Sequence, residues 1–332
     1  NTYMSQVQII EVTPAEDGMR LDRWFKTHYP DLGHVQLQKL LRSGQVRLDG
    51  GRVKASSRIV ELQIIRVPPI EERAARKAQP KQKFKITEED IELVKSWIIH
   101  QDSHLFVINK PSGLAAQGGS GTTRHVDGLL DALKPKDGER PRLVHRLDKD
   151  TSGVMLIARS RKAATFYTDV FQSKEAKKLY WALVVGQPKL EEGIITLPLK
   201  KAPGAKGDKV IIDQKEGKFA RTAYRVLETA GQKVSWLAFQ PVTGRTHQLR
   251  VHATEGLETP IVGDGKYGGS ESFLDGLPSS KQMHLHARAI VLPNLSGGML
   301  EVLAPPPEHF MESCRFLGFA IQPNYNYIIE IE

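Results

Sequence analysis

Apolar segments of strand length recur from about residue 104 onward, and they constrain the fold more than any other feature of the sequence. The clearest are HLFVINKP, VMLIARS, KLYWALVVG, TAYRVLETAGQKVSWLAFQPV and HLHARAIVLP. Helical spacing of apolar residues is rarer, and it is seen in RKAATFYTDVFQS and RTHQLRVHATEG. Because no strand–helix–strand cycle repeats, the order predicts an α+β fold with a largely antiparallel sheet.

Two of these segments make more detailed predictions. In TAYRVLETAGQKVSWLAFQPV, Ala230-Gly231-Gln232 predicts the turn of a hairpin. In KLYWALVVG, alternation separates two sets of side chains on opposite faces of the strand, with Tyr180, Ala182 and Val184 on one and Leu179, Trp181 and Leu183 on the other.

The first 85 residues carry most of the positive charge. The whole chain has a formal net charge of +9, and residues 19–66 hold ten Lys or Arg against four Asp or Glu. Residues 71–85 add six basic residues against two acidic ones. A small basic front joined to a nearly neutral body predicts a module that binds a polyanion, with a solvated basic surface as the alternative.

The front of the chain has the pattern of a small α/β module. MRLDRWFKTHYP and HVQLQKLLRSGQV predict two short helices, the second with Val35, Leu37, Leu40 and Leu41 as its apolar residues. VRLDGGRV and IVELQIIRVPP predict strands around an Asp-Gly-Gly turn. Residues 15–67 resemble the S4-type RNA-binding module through RLDRWF, LLRSGQV and the turn that follows. This resemblance makes the helix-surface cations the expected RNA contacts, namely Arg20, Arg23, Lys26, Lys39 and Arg42.

Residues 68–90 are polar, basic and flanked by proline, and they predict a linker. A larger catalytic domain is expected over residues 91–320. No run of about 18 apolar residues and no basic start with an apolar core occurs, so neither a membrane span nor a secretory signal is expected. Cys314 is the only cysteine, which excludes an internal disulfide, fits a reducing cytoplasm and predicts a small buried side chain.

The stretch HRLDKDTSG, residues 145–153, places two basic side chains and two carboxylates in a short polar connection. It lies between strand-like RLVHRL and the apolar segment GVMLIAR, and loops on rigid strands commonly carry function. Asp150, Thr151 and Ser152 are residue types that cap their own backbone in turns. Arg146 and Asp148 need another explanation, because alternation places both on one face of an extended segment.

A second polar motif, VTGRTHQLRVHA, predicts a helix that begins after Gly244. Side chains four residues apart would share a face, which pairs Thr246 with Arg250, Gln248 with His252, and Leu249 with Ala253. On a buried side Arg250 needs a carboxylate partner, because an unpaired buried charge costs several kcal/mol. The alternative is a surface helix with Arg250 in water.

Four histidines near these motifs raise the question of a metal site: His247, His252, His284 and His286. No cluster of Cys, Asp or Glu has the spacing of a zinc site. Structural histidines are therefore the better interpretation, and no metal is expected.

The motifs HRLDKDTSG, KLYWALVVG, VTGRTHQLRVHA and LHARAIVLP occur in this order in the RluA-type pseudouridine synthases, which the chain resembles over roughly residues 15–320. NKPSG followed by GGSG is similar to the ribosomal large-subunit synthase C branch of that family. Gln117 departs from the pattern, since relatives often have His before the glycines. The resemblance implies the pseudouridine synthase fold and isomerisation of specific uridines in large-subunit (23S) ribosomal RNA.

The resemblance also implies a role for each of four residues. Asp148 is the nucleophile, and Arg146 helps to open the RNA and to hold the flipped nucleotide. Tyr180 stacks on uracil and takes part in proton transfer, while Arg250 pairs with the catalytic aspartate. Extruding a nucleotide costs a few kcal/mol, and stacking of about 1–3 kcal/mol per base offsets that cost.

Isomerisation involves neither redox change nor net hydrolysis, so no cofactor is expected. The expected partner is ribosomal RNA, and the protein is expected to be a cytoplasmic monomer. Three alternatives stay open at this point. The chain is a catalytically silent RNA-binding or ribosome-assembly protein, a synthase for another structured RNA such as tRNA, or a hydrolase that uses Asp148 or Asp150 as one of two carboxylates.

Overall fold

The computed structural model describes residues 7–70, 86–118, 124–203 and 209–320. It contains two compact units, Asn1–Lys83 and Phe84–Glu332. The predicted linker falls mostly on residues 71–85, outside the described residues, and the domain boundaries at 15–67 and 91–320 stay predictions. No helix within the described ranges is long and apolar enough to cross a membrane.

The N-terminal unit packs two helices against a small antiparallel sheet. The helices are α1 (Leu21–His28) and α2 (His34–Arg42). The strands β1 (Gln8–Glu11), β2 (Arg47–Leu48) and β3 (Ile64–Val67) are arranged in the order β1-β3-β2. As the helical spacing predicted, the core of the unit is built on apolar residues of both helices, among them Leu21, Trp24, Phe25, Leu37 and Leu41.

In this unit the predicted turn is confirmed, but one residue predicted to lie on the apolar face of α2 is exposed. The turn forms at Asp49-Gly50-Gly51, with positive φ at Asp49 and Gly50. Val35, expected on the apolar face of α2, is 81% exposed. It lies about 200° around the helix from Leu37, because each residue turns the helix by about 100°. The five cations expected to bind RNA, Arg20, Arg23, Lys26, Lys39 and Arg42, are all exposed.

The larger unit is built on a ten-stranded sheet in the order β4-β5-β7-β14-β8-β13-β12-β9, with β15 paired to β14 and β6 to β7. Its strands are β4 (Ile98–Gln101), β5 (Leu105–Lys110), β6 (Arg142–Leu143), β7 (Ser152–Ala158), β8 (Lys177–Val185), β9 (Glu192–Thr196), β12 (Arg221–Ala230), β13 (Val234–Pro241), β14 (Leu285–Pro293) and β15 (Met299–Leu303). A separate pair contains β10 (Leu199–Lys201) and β11 (Val210–Ile212). Among the described pairings only β7 and β14 run parallel, so the prediction of a largely antiparallel sheet is confirmed.

Helices cover both faces of this sheet. They are α3 (Glu88–Ser96), α4 (Val126–Leu129), α5 (Arg161–Ser173), α6 (Gln248–Val251) and α7 (Glu308–Leu317). The alternation predicted in β8 is confirmed by its packing. Ala182 and Val184 contact the cluster that contains Leu249, whereas Trp181 and Leu183 contact the cluster that contains the fully buried Cys314.

The parallel pairing of β7 with β14 depends on Gly153. Its φ is +113°, and a Cβ built there would lie 2.2 Å from the carbonyl oxygen of Ala287 on β14. No side chain fits this position, so glycine lets the backbones of the two strands approach each other. Residues 145–153 are thereby fixed to the middle of the sheet rather than to its edge.

Candidate active site

Asp148 lies in the loop between β6 and β7, where two surface clefts of about 570 Å³ and about 790 Å³ meet. Arg146 and Asp148 line both clefts, and Leu147 between them is buried. The shared face predicted for Arg146 and Asp148 is therefore confirmed. Asp150 lines only the larger cleft, so the two aspartates occupy different surroundings.

His145 fixes the start of this loop. The strand β6 pairs with β7 over only two residues, and the next N–H of β7, that of Leu156, donates to His145 Nε2 at 2.9 Å. The imidazole therefore replaces the missing main-chain acceptor, and it stacks on Phe171 with 4.4 Å between ring centroids. Burial, with the nearby charge of Lys178, lowers the pKa of His145 to about 3. The ring stays neutral and keeps Nε2 as an acceptor.

Lys110, at the end of β5, fixes the turn that follows Asp148. Its side chain is fully buried and donates to the carbonyl oxygens of Pro111, Leu114 and Lys149 at 2.8–3.1 Å. Burial lowers the pKa of Lys110 to about 7, although the charges of Asp150 and Asp148 oppose the shift. The segment NKPSG is thus tied to the loop that carries Asp148 by a buried amine.

The expected turn is present, but the Ser152 side chain acts differently from the prediction. The Thr151 N–H donates to the Asp148 carbonyl at 3.2 Å. Ser152 does not cap its own backbone: its hydroxyl lies 2.9 Å from Nδ1 of His286 on β14. Since His286 Nε2 lies 3.0 Å from the Ala304 carbonyl, which only accepts, Nδ1 is the acceptor for Ser152. The loop is therefore held through the sheet.

Tyr180 and Lys178 approach the smaller cleft from β8. They are two residues apart, so their side chains share one face of the strand, while Leu179 between them is fully buried. Burial, with the negative charge of Asp148 adding, raises the pKa of Tyr180 above its usual value. Its ring is only partly exposed and faces the cleft that Asp148 lines. The structure thus places an aromatic ring in the same cleft as the candidate nucleophile.

The helix predicted over residues 245–256 begins three residues later. His247 has a φ of +53°, α6 starts at Gln248, and residues His252–Gly256 continue as a wider π-helical turn. The predicted pairing of Thr246 with Arg250 is wrong, because Thr246 precedes the helix. Gln248 and His252 do share a face, and both lie 2.9 Å from the Thr222 hydroxyl.

The carboxylate partner of Arg250 is Asp264, and the prediction that Arg250 pairs with Asp148 is wrong. The guanidinium donates two hydrogen bonds to the Asp264 carboxylate at 2.8 and 2.6 Å, and both residues are buried. The pKa of Arg250 is raised above its usual value. Burial acts to lower it, but the hydrogen bonds and the charge of Asp264 outweigh that effect, with smaller contributions from the charges of Asp148 and Tyr267. The planar guanidinium is engaged by Asp264, so Asp148 acts on it only at longer range.

His247 lies beside Asp148, with its Nε2 3.8 Å from Oδ2 of the carboxylate. Its Nδ1 lies 2.6 Å from the Tyr267 hydroxyl, which also accepts the N–H of Val210. With one lone pair already used, the hydroxyl is best placed to donate to Nδ1. The hydrogen of a neutral His247 ring then lies on Nε2, facing the carboxylate.

The remaining histidines of the motif set are structural. His252 also contacts the Leu197 carbonyl, and His284 contacts the Gln282 carbonyl and the Ser313 hydroxyl. Burial lowers the pKa of His284 and His286 to about 4. Within the described ranges no group of three or more His, Cys, Asp or Glu side chains is arranged to hold a metal ion.

The arrangement combines a carboxylate, an aromatic ring and cations within clefts whose volumes are typical of ligand sites. Asp148, Arg146 and Tyr180 come together as the sequence predicted, and Arg250 also lines both clefts. The sequence reasoning missed five supporting residues, namely Lys110, His145, Lys178, Asp264 and Tyr267. Of these five, Lys110 could have been noticed in the sequence. A lysine at the end of an apolar strand must either donate to buried acceptors or reach solvent.

Comparisons with known proteins agree in the part of the chain that carries this site. A family model described as RNA pseudouridylate synthase matches residues 104–255. RNA pseudouridine synthase 4, mitochondrial, of Arabidopsis thaliana is 35% identical, over 82% of this chain and 71% of that protein. Ribosomal large subunit pseudouridine synthase C of Rickettsia bellii is 36% identical, over 88% of this chain and 95% of that protein. The solved structure of human RNA Pseudouridylate Synthase Domain Containing 4 has a TM-score of 0.60 at 30% identity, and covers 70% of this chain and 98% of that one.

Proposed function

Because the chain belongs to the RNA pseudouridylate synthase family and is a pseudouridine synthase, we propose that it isomerises specific uridines of large-subunit (23S) ribosomal RNA with Asp148 as the nucleophile. The observation that carries the proposal is the position of Asp148 where two clefts meet, with Tyr180 lining one of them. The names of relatives such as ribosomal large subunit pseudouridine synthase C support the choice of RNA.

The target uridine must leave the base stack before Asp148 can reach it, at a cost of a few kcal/mol. Arg146 is exposed and lines both clefts. In the proposed mechanism its guanidinium enters the space that the extruded nucleotide vacates, while the uracil ring stacks on Tyr180. Stacking of about 1–3 kcal/mol offsets most of the cost of extrusion.

The chemistry then proceeds without net gain or loss of atoms. The N1–C1′ bond breaks, its electron pair stays on the uracil, and Asp148 stabilises or bonds the electron-poor ribose carbon. The uracil rotates so that C5 faces C1′, and a C5–C1′ bond forms. One proton leaves C5 and one is gained at N1, so the product has the mass of uridine.

Tyr180 is suited to carry that proton. Its raised pKa keeps the phenol protonated at neutral pH, so it hydrogen-bonds to the detached uracil anion. After the C5–C1′ bond has formed, it gives its proton to N1 and accepts the proton that leaves C5. If Asp148 bonds the ribose, its negative charge disappears, which removes one of the two causes that raise the pKa of Tyr180. The phenolate therefore forms more easily once the first bond has broken.

The N-terminal unit is proposed to act as an S4-like RNA-binding domain that uses its exposed cations. Two helices packed on a small sheet, with basic side chains on the helix surfaces, support this assignment. We further propose a cytoplasmic monomer that needs no cofactor. Fractionation of cells, light scattering of the purified protein and activity in the presence of a chelator test these three points.

Release of tritium from RNA labelled at C5 of uridine tests the proposed reaction. Large-subunit ribosomal RNA transcribed with this label is incubated with the wild type, with Asp148→Asn and with Asp150→Asn as the matched control. We expect the wild type and Asp150→Asn to release label and Asp148→Asn to release none. Turnover by Asp148→Asn at the wild-type rate would remove Asp148 from the role. Tight binding without any release by the wild type would favour a silent RNA-binding protein, and release from tRNA alone would change the substrate.

A further inference from the structure

Lys178 is a cation of the smaller cleft to which the mechanism above gives no role. It lies on β8 on the same face as Tyr180, and both line the cleft together with Asp148. Across the cleft, its Nζ lies 3.8 Å from the position that a Cβ on Gly244 would occupy. The ammonium is therefore close to the space where an extruded uracil would stack.

Lys178 is half-buried, and unlike the buried cations of the site it has no hydrogen-bond or ion-pair partner within the ranges that the structure describes. Lys110 donates to three carbonyl oxygens, and Arg250 binds Asp264 through two hydrogen bonds. Burial alone lowers the pKa of Lys178 to about 8, and no carboxylate offsets the shift. An unpaired ammonium in such a place is costly to the folded protein. Its retention is explained if the substrate supplies the negative charge.

The proposed reaction generates such a charge at this place. When N1–C1′ breaks, the electron pair spreads over the uracil ring to O2 and O4. The ring must also turn by a large angle before C5 faces the ribose, so a rigid partner would hold it in one orientation. A lysine ammonium on a flexible stem, with three hydrogens, remains in contact with an anion that moves.

We propose that the Lys178 ammonium stabilises the uracil anion released by Asp148 chemistry and stays in contact with its oxygens while the ring rotates. The inference rests on the proposed function. Lys178 neither gains nor loses a proton in this step: the electron pair of the N1–C1′ bond passes to uracil and returns in the C5–C1′ bond. Preorganised donors aimed at a developing anion commonly contribute about 10²–10³ in rate.

Three variants test the inference, namely Lys178→Met, Lys178→Arg and the control Lys177→Met. Lys177 is the preceding residue on β8, is exposed and does not line the cleft. We expect Lys178→Met to lower kcat for tritium release about 10²–10³-fold while its Kd for RNA stays within about threefold of the wild type. Lys178→Arg should recover part of the loss because it keeps the charge, and Lys177→Met should match the wild type. Equal melting temperatures show that the variants are folded.

RNA that contains 5-fluorouridine separates the steps, because fluorine at C5 cannot leave as a proton. Single-turnover consumption of 5-fluorouridine should be slowed by Lys178→Met as much as tritium release is. The inference is overturned if Lys178→Met keeps kcat within threefold, or if the whole loss lies in Kd, which would indicate a phosphate contact. It is also overturned if 5-fluorouridine consumption is unaffected, which would indicate a role in proton removal alone. If the wild type releases no label, the proposed function fails and this inference fails with it.

Discussion

Asp264→Asn tests the role of the buried ion pair in holding Arg250 away from Asp148. Asp264 is 1% exposed and Arg250 is 7% exposed, and two hydrogen bonds join them. Asparagine keeps one acceptor oxygen but loses the charge. Removing one member of a buried ion pair typically lowers the free energy of unfolding by about 3–5 kcal/mol. Because asparagine retains one acceptor, we expect a loss of about 3 kcal/mol. For a unit of this size each kcal/mol lowers Tm by about 2–4 °C, so we expect a decrease of about 6–12 °C.

The same substitution should reduce activity through Asp148. With Asp264 neutral, Asp148 is the remaining carboxylate whose charge acts on Arg250. We expect the guanidinium to turn towards Asp148 and to compete with the substrate for it. A competing interaction of about 1.4 kcal/mol lowers kcat about tenfold while RNA affinity is unchanged.

Differential scanning calorimetry and tritium release measure the two effects on the same samples. The control is the double variant Arg250→Met/Asp264→Leu, in which both charges are replaced by apolar side chains. Such replacements of a whole buried pair are often neutral or stabilising, so this variant should melt well above Asp264→Asn. A decrease in Tm of less than about 2 °C for Asp264→Asn, or a double variant as unstable as the single one, would refute the reasoning.

Three further predictions concern other parts of the protein. Tyr180→Phe keeps the ring but not the hydroxyl, so RNA affinity should stay within about twofold while kcat falls about 10²–10⁴-fold; equal kcat values would exclude proton transfer. His284 and His286 have folded-state pKa values near 4, below those of the unfolded chain, so the free energy of unfolding should fall as pH decreases below about 6.5, by up to about 1.4 kcal/mol per pH unit for each histidine. A melting temperature that is constant between pH 7 and pH 5 would contradict this. The last prediction concerns four exposed cations of the N-terminal helices, Arg23, Lys26, Lys39 and Arg42. Changing them to Gln should reduce the slope of log K for RNA binding against log salt concentration by about 0.7–0.9 per lost phosphate contact. An unchanged slope would show that these cations do not contact the RNA.

Apolar runs of strand length predicted the elements of the sheet because its central strands, such as β7 and β13, are buried on both faces. The two faces of KLYWALVVG and the hairpin around Gly231 are confirmed. Arg146 and Asp148 were also placed correctly, since alternation determines a shared face in an extended segment. Predictions of this type depend only on residues that are close together in the chain.

Partners that are brought together by the sheet were not predictable in the same way. Arg250 needs a carboxylate, and that need was clear from the sequence, but Asp264 reaches it from an irregular loop 14 residues later. His145 replaces a main-chain acceptor, and nothing in its spacing distinguishes that role from a surface histidine. The left-handed backbone of His247 shortened the predicted helix, because no local rule favours that conformation for histidine there.

The parallel pairing of β7 with β14 has a consequence for how the protein acquires activity during synthesis. Ser152 and His286 are 134 positions apart in the chain, and closing so long a segment delays contacts of this kind relative to local ones. The N-terminal unit, whose longest strand pairing joins Gln8 to Val67, is able to fold while the rest is still being made. On this order of events the nascent chain gains its basic surface first. Asp148 acquires its final support only after β14 has left the ribosome.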